Sequence, residues 1–166
     1  MNLSYRKGTM NDLSAIDDLV ADAIRQMERQ GIMQWDKLYP THEVFEQDIE
    51  SGNLYVGCED DKVAVVFVLN QEFDEAYKNG KWKDESKSFR IIHRLCVNPQ
   101  YQHQGIAKMT IEHIEEDTRK SGIEAIRLDV FIENPYALRL YEKCGYQRVG
   151  KVRWRKGEFY LMEKYL

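Results

Sequence analysis

The spacing of apolar residues along the chain predicts both strands and helices. Apolar positions alternate with other residues from 126 to 133, which is the pattern of a strand with one buried face. The run from 91 to 97 is mainly apolar and rich in β-branched residues, which predicts a more deeply buried strand. Three- and four-residue spacings predict a first helix, whose apolar stripe is Leu13, Ile16, Val20, Ile24 and Met27.

Capping residues and glycines predict where the helices begin and end. Thr9, three residues before Asp12, is suited to open the first helix, and Thr41 can cap a second helix that ends at Gly52. A third helix follows residue 105, where apolar residues again recur at helical spacing. Asn134 precedes Pro135 and so predicts the start of a fourth helix, with a C-terminal glycine at position 145.

Two pairs of short apolar runs, within 54–69 and 152–162, are separated by turn residues and predict hairpins. With an opening strand at 5–7, the predicted order is β-α-α-β-β-β-α-β-α-β-β. This order and the length of 166 residues favour a single α/β domain over residues 1–166 around a mixed sheet.

The segment 71–88 does not continue this pattern. Half of its positions are charged, yet it contains Phe73, Tyr77 and Trp82. Two interpretations stay open, a solvated connection and a lid over a binding site. The solvated connection is favoured because runs of charged residues usually cover a solvated face.

Composition and charge narrow the class of protein. The chain is 43% hydrophobic and 31% charged, and its net charge of −4 argues against a nucleic-acid partner. No apolar run approaches the roughly 20 residues that span a bilayer, and residues 1–7 lack the apolar core of a signal peptide. The cysteines, at 58, 96 and 144, are odd in number and predict reduced thiols in a cytoplasmic protein. The histidines, at 42, 93, 103 and 113, show no metal-ligand spacing with them, so no metal is expected.

The stretch from the strand 91–97 through Gly105 into the third helix has a chemical implication. A turn that leads into a helix start presents backbone N–H groups at the positive end of the helix dipole, which suits a pyrophosphate. Gly105 has no Cβ and allows close approach of a ligand, and the small side chain of Ala107 keeps the wall low. Residues 102–108 therefore predict an anion site that needs no metal.

Two motifs in this half of the chain resemble a known family. Gln102-x-x-Gly105-x-Ala107 resembles the Arg/Gln-x-x-Gly-x-Gly/Ala signature of the GNAT superfamily, the acetyl-CoA-dependent N-acyltransferases. The stretch 134–146, Asn-x-x-Ala-x-x-x-Tyr-x-x-x-Gly-Tyr, resembles the family's second motif, with Tyr146 in the place of a phenylalanine. The resemblance is firm over about 89–150. A Rossmann nucleotide site is disfavoured because Gly-x-Gly-x-x-Gly is absent.

The resemblance implies a fold and a donor. The fold is a GNAT-like mixed, mostly antiparallel central sheet flanked by helices, with strands splayed around an acyl-CoA site. Acetyl-CoA is the implied donor, its pantetheine arm paired with the strand that enters the loop until Pro99 interrupts the pairing. The implied cofactor-binding residues are Leu95, Cys96, Val97, Gln102, His103, Gln104, Gly105, Ile106, Ala107, Lys108, Asn134 and Tyr141.

The resemblance also implies catalytic roles. Tyr141 matches the tyrosine that protonates the leaving thiolate, and its alternative is a core aromatic residue. His93 and Asp129 are the two expectations for a base or relay that takes the proton of the amine; the alternatives are a hydrogen-bonded strand histidine and a surface ion pair. Cys96 has no His/Asp partners in the sequence and is not expected to act as a nucleophile.

The expected function is therefore N-acetyltransfer from acetyl-CoA to a primary amine by direct attack in a ternary complex. The alternative is a non-catalytic acyl-CoA-binding or sensing domain. By resemblance, the loop 30–40 forms a wall of the acceptor cleft, and its Met33, Trp35 and Tyr39 equally fit a loop that is simply buried. The sequence leaves the acceptor open between a small molecule and a peptide, expects neither a nucleic acid nor a membrane as partner, and is compatible with a homodimer.

Overall fold

The structure is a computed structural model that describes residues 2–166. It contains a seven-stranded, mostly antiparallel sheet with flanking helices, which confirms the predicted fold class. The strands are β1 (Ser4–Lys7), β2 (Leu54–Glu59), β3 (Lys62–Asn70), β4 (Phe89–Val97), β5 (Ala125–Phe131), β6 (Gln147–Trp154) and β7 (Gly157–Tyr165). The helices are α1 (Leu13–Arg29), α2 (His42–Glu50), α3 (Ile106–Lys120) and α4 (Pro135–Lys143). The predicted order of elements is confirmed.

The strand order is β1-β2-β3-β4-β5-β7-β6. Strands β4 and β5 pair in parallel, from Phe89↔Ala125 to Ile91↔Arg127. The last hairpin is present as predicted, but its second strand pairs with β5. A hairpin motif predicts only that its two strands are neighbours, so the sequence left open which of them joins the sheet.

The chain divides into two compact units. Unit 1 comprises the residues up to Leu69 together with Arg94–Thr110, and unit 2 comprises Asn70–His93 together with Ile111–Leu166. In unit 1, Leu13, Ile16 and Val20 of the α1 stripe and Phe45 of α2 are buried with residues of β2 and β3, and the partly buried Ile24 packs against them. The caps are as predicted: Thr9 and Asp12 form a reciprocal capping box, and the Thr41 hydroxyl accepts the N–H of Val44.

Unit 2 has a core rich in aromatic residues, and the segment 71–88 contributes to it. Residues Glu75–Asn79 form a 3₁₀ turn in which the Tyr77 side chain is only 4% exposed. The Trp82 indole N–H donates to the Tyr77 carbonyl at 2.9 Å. The favoured interpretation of a solvated connection is therefore wrong for Tyr77, which is buried, and for Trp82, which is half-buried. It holds for Phe73, which is 47% exposed, and for most charged side chains of the segment.

Candidate functional site

The loop that follows β4 begins where a proline interrupts hydrogen bonding to β3. The backbone N–H of Asn98 donates to the Ala64 carbonyl at 2.8 Å, and its side-chain amide donates to the Val63 carbonyl at 3.1 Å. Pro99 has no N–H to continue this pairing. The chain then makes a 3₁₀ turn over Pro99–Tyr101 before it reaches α3.

The backbone between this turn and α3 presents unused donors. Within residues 2–166, no protein acceptor takes up the N–H groups of residues 103–107. His103 and Gly105 have positive φ angles of 62° and 74°, so this loop departs from an extended path. A Cβ built on Gly105 would meet no protein atom within 4 Å. The loop is therefore an open row of donors at the start of a 15-residue helix, which fits an anionic group.

The side chains around this loop differ in their accessibility. Those of His103, Gln104 and Lys108 are exposed. Gln102 is half-buried, and its amide oxygen accepts from the Gln26 amide of α1 at 2.5 Å. Gln102 is thus already engaged within unit 1, and the residue is held in place before any ligand binds.

The predicted pantetheine strand has its middle side chain turned into the core. Cys96 is 6% exposed and belongs to the unit 1 core, whereas Leu95 and Val97 are half-buried and pack with Ile106. Burial raises the pKa of the Cys96 thiol to about 12. Any contact from Cys96 to a ligand would come from its backbone, and its thiol is unsuited to act as a nucleophile.

Arg94 is a residue of this strand that the sequence did not single out. Its φ angle is +49°, in the left-handed region, within β4. Its guanidinium donates to both carboxylate oxygens of Asp48 and to the Tyr39 hydroxyl, at 2.7–2.9 Å. Arg94 therefore connects β4 to α2 and to the loop 30–40. A charged residue inside an apolar run was the one signal in the sequence.

The predicted acid, Tyr141, is buried in unit 2. Its side chain is 8% exposed, and its ring meets that of Tyr146 edge-on at 5.7 Å between centroids. Burial raises the pKa of Tyr141, and the nearby Asp129 carboxylate raises it further. The phenol of Tyr141 is therefore protonated at neutral pH. Tyr141 and Asp129, two of the three residues predicted to be catalytic, are also near each other.

Asp129 is engaged by a residue that the sequence did not predict. The Tyr77 hydroxyl donates to Oδ2 of Asp129 at 2.5 Å. Asp129 was expected as a base, and the structure shows that it also accepts from a buried phenol. The alternative of a surface ion pair does not describe this contact.

The tautomer of His93, the third residue predicted to be catalytic, follows from its hydrogen bond to Asn70. Oδ1 of Asn70 accepts the backbone N–H of Glu72 at 3.0 Å and lies 2.8 Å from Nε2 of His93. A backbone N–H can only donate, so the atom it meets is the amide oxygen, and Nε2 of His93 must be the second donor. A neutral His93 therefore carries its lone pair on Nδ1.

Asn134 caps α4 as predicted. Its side-chain oxygen accepts the N–H of Ala137 at 3.1 Å, and Gly145 beyond the helix has a φ angle of +94°. Across residues 2–166, no three or more histidines, cysteines, aspartates or glutamates are grouped so that they could hold a metal ion. No helix in this range is both long and apolar enough to cross a membrane.

Comparison with known proteins identifies relatives of this arrangement. The sequence profile described as "Acetyltransferase (GNAT) family" matches residues 18–146, which is more than half of the chain. The [ribosomal protein bS18]-alanine N-acetyltransferase of Escherichia coli K12 is 35% identical over 63 residues, 38% of this chain and 40% of that protein. The chain thus matches about two fifths of the length of this curated relative.

Solved structures show the same fold along nearly the whole chain. A GNAT-family acetyltransferase from Streptococcus agalactiae superposes with a TM-score of 0.88 at 24% identity, covering 99% of this chain and 95% of that one. The PaiA N-acetyltransferase of Thermoplasma acidophilum, crystallised with coenzyme A, superposes with a TM-score of 0.73 at 18% identity, covering both chains completely. These similarities concern the fold.

Proposed function

Because the chain belongs to the acetyltransferase (GNAT) family, as the match over residues 18–146 shows, we propose that it is an N-acetyltransferase. The reaction is acetyl transfer from acetyl-CoA to a primary amine by direct attack in a ternary complex. The observation that carries this proposal is the open row of backbone donors at 103–107. The whole chain 1–166 acts as one catalytic domain.

The residues present fit a coenzyme A diphosphate. The donors of residues 103–107 and the helix start at Ile106 provide complementary charge, and the space beside Gly105 allows close approach. The exposed Lys108 and His103 flank the phosphates, and Gln102 and Gln104 shape the loop. The backbone of Leu95–Val97 pairs with pantetheine, and Asn134 is a further proposed cofactor contact.

Tyr141 is the proposed proton donor. Acetyl-CoA supplies an activated thioester, whose cleavage places negative charge on sulfur. A phenol, with a pKa of about 10, is a weaker acid than a thiol, with a pKa of about 8.5, so complete transfer of the Tyr141 proton to the leaving sulfur is uphill, and the phenol begins to donate only as negative charge develops on that sulfur. Burial raises the pKa of Tyr141, which keeps the phenol protonated at neutral pH but makes loss of its proton less favourable.

His93 and Asp129 are the proposed acceptors of the amine's proton. The Nε2–H of His93 is engaged by Asn70, so Nδ1 is the atom that takes a proton. Imidazole has an intrinsic pKa near 6.5, which suits this task at neutral pH. Asp129 acts either as an anion beside Tyr141 or as the relay that accepts the amine's proton. Separate replacement of His93 and of Asp129 distinguishes these two roles of Asp129.

The acceptor binds along the loop 30–40. Met33, Leu38 and Tyr39 are 51%, 70% and 39% exposed, so the loop presents an apolar surface. Asp36 stabilises the loop conformation, because its carboxylate accepts the N–H of Leu38 at 2.8 Å. A relative named for an alanine of a ribosomal protein makes a peptide N-terminal amine one acceptor to include in a panel. We further propose that the protein is located in the cytoplasm, which agrees with its three free thiols, and that it forms a homodimer.

The proposal is tested by calorimetry with CoA and by thiol release from acetyl-CoA with a panel of small amines and peptides. We expect CoA to bind, and one class of amine to release thiol. The Tyr141→Phe protein should still bind CoA, with at most a small loss of affinity from the missing hydroxyl, and turn over roughly 10²–10⁴-fold more slowly. Absence of CoA binding would refute the proposal. Binding without thiol release from any amine would replace it with the acyl-CoA sensor.

A further inference from the structure

The segment 71–88 delivers a buried hydroxyl to one of the proposed catalytic residues. Tyr77 is 4% exposed and donates from Oη to Oδ2 of Asp129 at 2.5 Å. Both residues lie in unit 2, 52 positions apart in sequence. A hydrogen bond from a buried phenol to a carboxylate is charge-assisted and strongly directional, so it restricts the orientation of that carboxylate.

The surroundings of Tyr77 hold its side chain in one place. Its ring lies 5.8 Å from that of Trp82 and 6.4 Å from that of Trp154, between centroids. The Trp82 indole N–H donates to the Tyr77 carbonyl at 2.9 Å. A phenol packed against two indole rings and with a bonded backbone has little freedom to turn its hydroxyl away from Asp129.

Backbone contacts fasten the same segment to β6 and β7. The N–H of Lys81 donates to the Val149 carbonyl at 2.7 Å, and the N–H of Lys83 donates to the Glu163 carboxylate at 2.9 Å. A Cβ on Gly150 would lie 3.1 Å from the Cα of Gly80, so the two backbones pass each other in close contact. The segment is therefore built into unit 2 along its length.

We infer that Tyr77 is a positioning residue, which fixes the Asp129 carboxylate beside Tyr141 and so makes the segment 71–88 part of the catalytic apparatus. This inference rests on the proposed function. It differs from a packing role in one respect: the contribution of the Tyr77 hydroxyl to the rate depends on the Asp129 carboxylate. A hydroxyl that only stabilises the fold would lower the free energy of unfolding when it is removed but would leave the kcat of the folded protein unchanged.

A double-mutant cycle with Tyr77→Phe and Asp129→Asn measures this dependence. Tyr77→Phe keeps the ring and removes the one hydroxyl. We expect kcat to fall roughly 10- to 100-fold, the loss typical of a misplaced catalytic group, and KM for acetyl-CoA to stay unchanged. In the Asp129→Asn background, the same substitution should change kcat less than about 2-fold, because the contact it removes is already altered.

Tyr160→Phe is the matched control. Tyr160 lies in the same unit, on β7, where it pairs in register with Val130 and its half-buried ring contacts the Arg148 guanidinium. Removal of its hydroxyl should leave kcat and the cycle unchanged. If Tyr77→Phe does not fold, Trp82→Phe takes its place in the cycle, since it removes the bond to the Tyr77 carbonyl and leaves an aromatic ring.

The outcomes separate the inference from the function on which it rests. Equal losses in both Asp129 backgrounds, or no loss of kcat in Tyr77→Phe, would overturn the positioning role while wild-type turnover upholds the acetyltransferase. Absence of turnover in the wild-type protein with every amine would remove the function and the inference together. A loss confined to the background that retains Asp129 establishes the inference.

Discussion

The guanidinium of Arg94 forms a two-pronged ion pair with the carboxylate of Asp48, with Nε 2.8 Å from Oδ2 and Nη2 2.7 Å from Oδ1. The two side chains are only 14% and 10% exposed. The remaining Nη1 donates to the Tyr39 hydroxyl at 2.9 Å. One side chain thereby joins the strand proposed to hold pantetheine to the loop proposed to hold the acceptor.

Replacement of Asp48 by alanine should strongly destabilise the protein. It leaves the buried Arg94 charge without its partner, a change that typically lowers the free energy of unfolding by about 3–5 kcal/mol. Thermal or urea unfolding measures the loss. The exposed pair of Arg25 and Asp22 is the control, since Asp22→Ala should change the free energy of unfolding by less than about 1 kcal/mol. Equal effects of the two substitutions would contradict the assigned burial.

The parts of the fold that the sequence could predict are those set by local chemistry. Asn134, Pro135 and Gly145 delimit α4 because capping and backbone freedom depend on a few neighbouring residues. The pair of Arg94 and Asp48 could not be predicted in this way. The two residues are 46 positions apart, and only the packing of α2 against the strand brings their charges together.

Substitution of Gly105 by alanine should weaken CoA binding in addition to straining the loop. The new methyl group meets no protein atom, but it projects where the ligand would approach the donors of residues 103–107. The backbone strain of a left-handed residue costs roughly 1–2 kcal/mol. Calorimetry should show at least about a 10-fold loss of CoA affinity, equivalent to about 1.4 kcal/mol.

Gly122→Ala is the matched control for this experiment. Gly122 has nearly the same φ angle, +75° against +74°, and equally empty surroundings, so the two variants carry the same strain. Only Gly105→Ala should lose CoA affinity. If both variants bind CoA equally well, the loop 103–107 is not the diphosphate site.

The proposed site was predictable to a similar extent as the fold. The loop around Gly105 and the position of Tyr141 are found from short motifs, since both proposed roles require particular residues at fixed spacing. Tyr77 could not be recognised, because the residues around it in sequence are largely charged and its hydrogen bond to Asp129 and ring contact with Trp154 come from β5 and β6. The sequence shows that an aromatic residue is present but not which carboxylate it will meet.

The pH dependence of kcat should show no alkaline decline from Tyr141 below about pH 10. The protonated phenol is the active form, and burial together with Asp129 raises the pKa of Tyr141 above its reference value of about 10. A raised pKa keeps the donor form populated to higher pH, so the decline moves upward. Asp129→Asn removes one cause and should move the decline of the remaining activity to lower pH. A wild-type decline centred below about pH 9 would argue against Tyr141 as the donor.

Cys96 should remain unmodified in the folded protein when Cys96 alkylation by iodoacetamide is followed by mass spectrometry at pH 8. Burial raises the pKa of the Cys96 thiol to about 12, so the thiol stays protonated at that pH, and its side chain is enclosed in the core of unit 1. Denaturation in guanidinium should expose all three cysteines to the reagent. The same argument predicts that Cys96→Ala retains turnover, because direct transfer uses no acyl-cysteine. An acetylated Cys96 peptide in an acid-quenched reaction would show instead that the acetyl group passes through the enzyme.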